Sequence, residues 1–238
     1  MKTVIFGANG PTGRLAVRCA LTAGHAVVAV TRHPREFPIT HPQLRVVAAD
    51  VRNDSAVRAA IAGADAVVSA LGVPFARHRV DAYSTGTTNI VNAMRASGTR
   101  RLIVVSSTSV HPTRRLHAPR LLRLIDPIIR TTIGKTVYDD MRRMETIVCG
   151  SGLDWTIVRP SGLFDLPELT DYISGPIEPV GAFTARIDLA DYLISLVTDS
   201  ASLRRIVVIS TTQSTPTLWQ MVRREALSAK DSDSIPTR

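Results

Sequence analysis

Three glycines near the N-terminus carry the clearest chemical signal in the sequence. Gly7, Gly10 and Gly13 stand in the stretch GANGPTG, directly after an apolar run and at the start of a helical pattern. Residues without a Cβ let the backbone turn tightly and approach a ligand closely, and the free amides and dipole of a helix N-terminus favour negative charge. This arrangement suits a diphosphate and predicts a dinucleotide-binding turn of Rossmann type. The residues of the predicted turn are Gly7, Asn9, Gly10, Pro11, Thr12 and Gly13.

The end of the second apolar run indicates which dinucleotide fits. An acidic residue about 20 positions after the glycine motif holds the ribose 2′-OH of NAD, whereas an arginine there accommodates the 2′-phosphate of NADP. This sequence has Arg32 after Thr31 and no carboxylate at that place. We therefore expect NADP(H), with NADPH preferred over NADH, and Arg14 is a candidate for a second contact to the same phosphate. The alternative is that Arg32 is an ordinary solvated loop arginine.

Three further apolar runs end in small or polar residues. Ligands of open parallel sheets bind in the crevice at the carboxyl ends of the strands, so these residues are expected to meet at one edge. Each pair by itself would be an ordinary strand end, but together they predict the path of a bound dinucleotide. The candidates are Asp50 and Val51, Leu71 and Gly72, and Ser106 and Ser107.

The elements that position these residues alternate along the chain. Short runs rich in Val and Ile alternate with longer helical patterns, which is typical of βαβ units. Predicted strands are Lys2–Phe6, Ala26–Thr31, Leu44–Ala48, Ala66–Ala70, Leu102–Val105, Trp155–Val158 and Arg205–Ile209. Predicted helices are Pro11–Ala23, Asp54–Ala60, Asp81–Ser97, Tyr138–Cys149 and Asp188–Thr198, with the three Asp residues as N-caps. The predicted fold is α/β, a Rossmann-like doubly wound parallel sheet.

The pattern predicts one NAD(P)-binding domain over residues 1–227 with one interruption. A basic stretch at about 109–137, in which Arg alternates with Leu and Ile, breaks the rhythm of strand and helix and is expected to form short helices. It is either an amphipathic insertion that packs on the domain, a lid over an anionic substrate, or a surface that docks on membrane or nucleic acid. Residues 228–238 are polar and are expected to form a loose tail.

Composition limits the classes of function. The formal charge of +9 fits an anionic ligand, but no helix-turn-helix, zinc or aromatic stacking motif supports nucleic-acid binding. No leader pattern and no apolar window long enough for an integral membrane segment occurs, so a cytoplasmic location is expected. His78, His111 and His117 match no ligand spacing, so no metal site is expected, and Cys19 and Cys149 are expected to be small buried residues. Nothing in the sequence indicates the oligomeric state.

Several motifs together carry a family resemblance. They are GxxGxxG, Thr31-Arg32, Asp50-Val51, Leu71-Gly72, Ser106-Ser107 and the stretch SGLDW that leads into Arg159-Pro160-Ser161-Gly162. Over about residues 1–212 the chain resembles the atypical short-chain dehydrogenase/reductases of the NmrA-like, NAD(P)H-binding group, and among them the biliverdin reductase B / flavin reductase type. By this resemblance Ser107 is the catalytic serine beside the nicotinamide, and Pro160 packs near the nicotinamide.

One departure from that family bears on the reaction. Ordinary members use a Tyr and a Lys four residues later, and here the matching positions are Val137 and Met141. Tyr138 stands one position away, about 100° around the helix, and is the weaker candidate for an acid. Acceptors that need little enzymic acid therefore fit better, namely flavins, quinones or tetrapyrrole-like molecules, with an anionic one suited to the basic insertion. The alternative is an NADP(H)-sensing regulatory protein without turnover.

Overall fold

The computed structural model describes residues 1–73, 80–110 and 134–213. The strands are β1 Lys2–Phe6, β2 Ala26–Thr31, β3 Leu44–Ala48, β4 Ala66–Ser69, β5 Arg101–Val105, β6 Asp154–Pro160, β7 Gly162–Phe164, β8 Tyr172–Gly175, β9 Phe183–Ala185 and β10 Arg205–Thr211. The helices are α1 Pro11–Thr22, α2 Asp54–Ile61, α3 Ala82–Ser97, α4 Lys135–Cys149 and α5 Arg186–Ser195, and a short 3₁₀ turn spans Pro34–Glu36.

The central sheet has eight strands in the order β3-β2-β1-β4-β5-β6-β10-β8. Its strands pair in parallel except β8, which runs antiparallel to β10 at the edge. Two short strands, β7 and β9, form a separate parallel pair. The order 3-2-1-4-5-6 is that of a doubly wound dinucleotide-binding sheet, so the predicted α/β fold is confirmed.

Helices cover both faces of the sheet because its strands are apolar on both sides. In β1, Val4 and Phe6 pack into the cluster that contains α2, α3 and α4, while Ile5 packs into the cluster that contains α1 and α5. All three β1 side chains are at most 1% exposed. The continuous apolar runs noted in the sequence are therefore buried parallel strands.

The predicted bounds agree with the structure for the first three strands, and the later strands differ by one or two residues. The three short strands β7, β8 and β9 were not predicted, because runs of three or four residues with mixed polarity give no usable period. Helix α4 begins at Lys135, three residues before the predicted start at Tyr138. Residues 135–137 of the predicted insertion therefore belong to this helix.

Two predicted N-caps were wrong. The cap of α2 is Asn53, whose side chain accepts a hydrogen bond from the amide of Ala56, so Asp54 is the first helical residue. Asp188 lies inside the first turn of α5, fully buried, where its carboxylate accepts hydrogen bonds from Thr170 and Thr211. Asp81 does occupy the N-cap of α3, but its side chain does not cap the helix. Side-chain chemistry identified these helix starts to within a residue or two, which is the usual limit.

Several sequence predictions lie outside the described residues. They are residues 111–133 of the basic insertion, the tail 228–238, and His78, His111 and His117. Of the two cysteines, Cys19 is half-buried, whereas Cys149 at the end of α4 is exposed, which corrects the expectation that both are buried. None of the helices in the described ranges has the length and apolar character needed to span a bilayer.

Candidate functional site

A large cleft lies along the edge where β1 to β6 end. Its volume is about 890 Å³. The residues that line it come from the turn after each of these strands and from helices α3, α4 and α5. They include Gly7, Asn9, Gly10, Pro11, Thr12, Gly13, Arg32, Asp50, Val51, Leu71, Gly72, Ser106, Ser107, Tyr138 and Pro160. The structure therefore brings together every predicted site residue except Arg14.

The glycine turn is a cradle that side chains would fill. Gly7 has a φ of +73°, and a Cβ there would lie 2.5 Å from the carbonyl oxygen of Ala70. A Cβ on Gly13 would lie 2.1 Å from the carbonyl oxygen of Gly7. Gly10 is the N-cap of α1 and supplies no side-chain cap, and the first turn contains no acidic residue. Pro11 has no N–H to donate. The amides of Thr12 and Gly13 lie in the first turn of the helix, where no acceptor within the helix is available to them, so they are left for an outside acceptor. The residues present therefore fit a diphosphate.

Arg14 takes a place different from the one predicted. Its Nε donates a 3.0 Å hydrogen bond to Oδ1 of Asn9, and it does not line the cleft. This bond occupies the acceptor end of the Asn9 amide, so the NH2 end is the part that remains for a ligand. Arg14 is thus a support for Asn9 in this structure.

The end of β2 holds Arg32 at the rim of the cleft. The hydroxyl of Thr31 accepts a 3.1 Å hydrogen bond from the amide of His33, which turns the chain immediately after the strand. Arg32 between them is exposed and lines the cleft. Among the described residues it forms no ion pair, so its guanidinium is available to an anion.

The turn after β3 is fixed from two sides. Oδ1 of Asp50 accepts a 2.9 Å hydrogen bond from the amide of Arg52. The carbonyl of Val51 accepts a 3.0 Å bond from Nδ2 of Asn89, and the Val51 side chain packs so closely on α3 that a Cβ at Gly86 would lie 2.6 Å from it. This tight packing gives the cleft an apolar wall at Val51.

At the end of β5 two adjacent serines face different partners. The hydroxyl of Ser106 donates a 2.6 Å hydrogen bond to Oε1 of the buried Glu145, which also forms a bidentate ion pair with Arg159 at 2.9 and 2.6 Å. The hydroxyl oxygen of Ser107 accepts a 3.1 Å bond from the amide of Ser109. In the described part of the chain the O–H of Ser107 has no acceptor, so it can donate to a ligand in the cleft.

The wall of the cleft beyond Ser107 comes from α3 and α4. Val137 and Met141, which the family resemblance matches to a Tyr and a Lys, both line the cleft and are at most 9% exposed. Tyr138 also lines the cleft and is half-buried. On the facing helix, Tyr83 lines the cleft and is 3% exposed. This part of the site is mainly apolar, with phenol hydroxyls as its polar groups.

The end of β6 supplies a buried hydroxyl without a partner. Ser161 follows Pro160, lines the cleft and is 5% exposed, and its Oγ has no hydrogen-bond partner among the described residues. A buried polar atom left unpaired is costly, and such atoms often await a ligand. Arg186 lines the same end and pairs with Asp165 at 2.8 Å.

Comparison with known proteins agrees with this geometry. A family model described as NAD(P)H-binding matches residues 7–200. The chain belongs to this NAD(P)H-binding family. Among its relatives is an uncharacterized chloroplastic protein of Arabidopsis thaliana, 29% identical over 187 residues that cover 74% of this chain. The matched region spans 64% of that relative's length.

Two solved structures of other proteins share this fold. A short-chain dehydrogenase/reductase of Veillonella parvula in complex with NADP has a TM-score of 0.72 at 19% identity, covering 91% of this chain and 99% of the other. The anaerobilin reductase ChuY of Escherichia coli O157:H7 has a TM-score of 0.70 at 20% identity, covering 91% and 100%. The family match shows NAD(P)H binding, and the two solved structures share the fold of this chain.

Three residues of this family member's cleft were missed by sequence reasoning. Ser161 stands within the motif RPSG and was passed over because only its neighbour Pro160 had an expected role. Tyr83 and Arg186 lie at the second and first positions of helices α3 and α5, where no pattern distinguishes a residue that faces the cleft from one that packs in the core. For these two, only the three-dimensional arrangement supplies the signal.

Proposed function

We propose that this protein is an NADPH-dependent reductase of the atypical short-chain type that transfers hydride to a conjugated acceptor. The observation that carries the proposal is the continuity of the cleft. One cavity is lined by the glycine turn at β1, by the ends of β5 and β6, and by apolar side chains of α3 and α4. A cavity lined by the ends of successive parallel strands suits a dinucleotide, and its apolar part at α3 and α4 suits a planar acceptor.

The cofactor contacts follow from the order of the strands. The amides of Thr12 and Gly13 bind the pyrophosphate, and Arg32 binds the 2′-phosphate at the β2 end. Asp50 and Val51 flank the adenine at the β3 end. The nicotinamide half would be held by residues that line the cleft at the ends of β4 to β6, namely Leu71, Gly72, Ser106, Ser107 and Pro160.

The residues at the nicotinamide end determine what the acceptor must be. When bound, the dihydronicotinamide supplies a hydride with its electron pair. Ser107 hydrogen-bonds the acceptor or the carboxamide through its uncommitted O–H, and Val137 with Met141 excludes water without offering a proton. Flavins, quinones and linear tetrapyrroles spread the added charge over a conjugated system and take their proton from water, so they fit this wall better than a simple ketone does. The fold shared with an anaerobilin reductase adds a tetrapyrrole to the acceptors to be tested.

A second candidate is an NADP(H)-sensing regulatory protein of the same family. The observation that favours it is that Val137 and Met141 line the cleft where an acid and its supporting lysine would act. Such a protein would keep the glycine turn and Arg32 and would bind the dinucleotide without consuming it. Cytoplasmic location and the one-domain division at residue 227 stay predictions.

One experiment separates the two candidates. Oxidation of NADPH is followed by absorbance with the full chain and a panel of FMN, menadione and biliverdin. The reductase predicts steady consumption of NADPH with at least one acceptor, and a lower rate for Ser107→Ala at unchanged NADP binding. Saturable binding of NADPH without oxidation by any member of the panel would instead establish the sensor.

A further inference from the structure

The phenol of Tyr83 forms part of the wall of the cleft and has no role in the proposed function. Tyr83 is the second residue of α3, lines the cleft and is 3% exposed. It packs in the same cluster as Val137 and Met141, the two residues that stand in the positions of the usual Tyr and Lys. Tyr138 packs against this cluster from the same helix as those two.

The hydroxyl of Tyr83 has an uncommitted hydrogen. Its oxygen accepts a 3.2 Å hydrogen bond from the amide of Val73, two residues after Leu71 in the turn that follows β4. A phenol accepts and donates, and within the described ranges its O–H donates no hydrogen bond. The Val73 amide thereby holds the Tyr83 oxygen beside the turn that follows β4, and the O–H of Tyr83 is left to donate a hydrogen bond to a ligand.

The backbone of Tyr83 is fixed from the opposite side. The amides of Tyr83 and Ser84 donate to Oδ2 of Asp140 at 2.9 and 3.3 Å, so a carboxylate of α4 caps the first turn of α3. Asp140 is fully buried, and its other oxygen pairs with Arg143 at 3.1 Å. Because α3 and α4 are joined here, the Tyr83 ring has little freedom to move, which is what a positioned donor requires.

The protonation state of Tyr83 suits a donor. Burial raises its pKa above the usual value for a tyrosine, and the nearby Asp140 and Tyr138 act in the same direction, while the amide of Val73 opposes them. The phenol therefore keeps its proton throughout the neutral range and acts as a hydrogen-bond donor there.

We propose that the hydroxyl of Tyr83 donates a hydrogen bond to the acceptor atom that becomes negative as hydride arrives, in the part of the cleft where Val137 and Met141 offer no polar group. This inference rests on the proposed reductase function. In the step, a C–H bond of the bound NADPH would break, its hydride would bond to the acceptor, and the cofactor would leave as NADP⁺; the acceptor is reduced by two electrons, and negative charge gathers on an acceptor oxygen or nitrogen. The Tyr83 O–H stabilises that charge, and a proton from water then neutralises the product.

The test compares Tyr83→Phe with Tyr192→Phe in the full chain. Tyr192 is a matched control because it is a buried tyrosine, 8% exposed, in the cluster on the other face of the sheet and outside the cleft. Menadione is the acceptor, and kcat, KM and the Kd of NADP are measured for each protein. We expect Tyr83→Phe to lower kcat by roughly 10- to 100-fold, the size of one hydrogen bond to a charged group, with the Kd of NADP unchanged.

Two results would overturn the inference. One is a kcat for Tyr83→Phe equal to that of the control, and the other is an equal loss of kcat and of NADP affinity, which marks a merely structural role. If the phenylalanine variant does not fold, a fluorinated tyrosine at position 83 keeps the shape and strengthens the donor, and an unchanged kcat then contradicts the inference. If the wild-type protein oxidises no NADPH, the proposed function itself fails and the inference falls with it.

Discussion

The hydroxyl of Ser106 donates a 2.6 Å hydrogen bond to Oε1 of Glu145, a carboxylate that is itself held by Arg159. This chain of contacts links the end of β5 to α4 and β6 beside the cleft. Because the Ser106 proton is committed, its oxygen can act only as an acceptor toward a ligand, whereas the O–H of Ser107 remains a donor.

The ion pair under the cleft makes a prediction about stability. The side chains of Arg159 and Glu145 are 16% and 6% exposed, so Glu145→Ala leaves a nearly buried cation without its partner. We expect the free energy of unfolding, measured with urea, to fall by about 3–5 kcal/mol. Lys135→Ala, which breaks an exposed pair with Asp139 on the same helix, is the control and should cost well under about 1 kcal/mol. Equal effects of the two variants would contradict the assigned difference in burial.

The glycine turn predicts a loss of cofactor binding without a general loss of the fold. In Gly13→Ala the new Cβ would stand 2.1 Å from the Gly7 carbonyl oxygen, so the turn must open and the amides of the first helical turn move. We expect NADP binding, measured by titration calorimetry, to be lost or strongly weakened. Gly150→Ala is the matched control, because a Cβ there meets its nearest atom at an ordinary 3.5 Å. Undiminished NADP affinity in Gly13→Ala would refute the cradle.

Arg32 predicts the choice between the two dinucleotides. Removal of a guanidinium that binds the 2′-phosphate should raise the Kd of NADPH by roughly 10- to 100-fold, the size of a hydrogen bond to a charged group, and leave that of NADH unchanged. Arg35→Ala is the control, since Arg35 is also exposed and lies in the adjacent 3₁₀ turn without lining the cleft. A parallel weakening of NADPH and NADH by Arg32→Ala would show that Arg32 does not read the phosphate.

Sequence reasoning located the residues whose position is set by local chemistry. Gly7, Gly10 and Gly13 form the predicted turn, and Arg32 stands at the end of β2 beside the same cleft, while their contacts with a cofactor stay predictions. Strands such as Lys2–Phe6 were predicted to the residue because buried parallel strands are continuously apolar.

It failed where the role depends on a neighbour distant in sequence. The cap of α3 comes from Asp140 on another helix, 57 residues from Tyr83, although Asp81 occupies the expected position. Arg14 turned toward Asn9, and Ser161 carries an orphaned hydroxyl that only burial reveals. The local sequence pattern does not indicate contacts between residues distant in sequence, so these contacts could be identified only from the structure.

The Asp154 carboxylate predicts a dependence of stability on pH. Arg100 donates two hydrogen bonds to the Asp154 carboxylate. These bonds, together with the positive charge of the nearby Arg204, hold the pKa of Asp154 below its usual value. A carboxylate with a lowered folded-state pKa adds stability above its unfolded-state pKa and loses it as the pH falls through the folded-state value. The wild-type protein should therefore unfold at higher urea than Asp154→Asn at pH near 7, and the difference should shrink below about pH 4. A difference that persisted or grew in acid would contradict this assignment.

If the cleft binds NADPH and transfers its hydride to an acceptor, the purified full chain must oxidise NADPH in the presence of FMN, menadione or biliverdin, as followed by the absorbance of the reduced cofactor. We expect steady turnover with at least one of these acceptors, faster with NADPH than with NADH. Tight NADPH binding with no oxidation beyond the protein-free rate would contradict it.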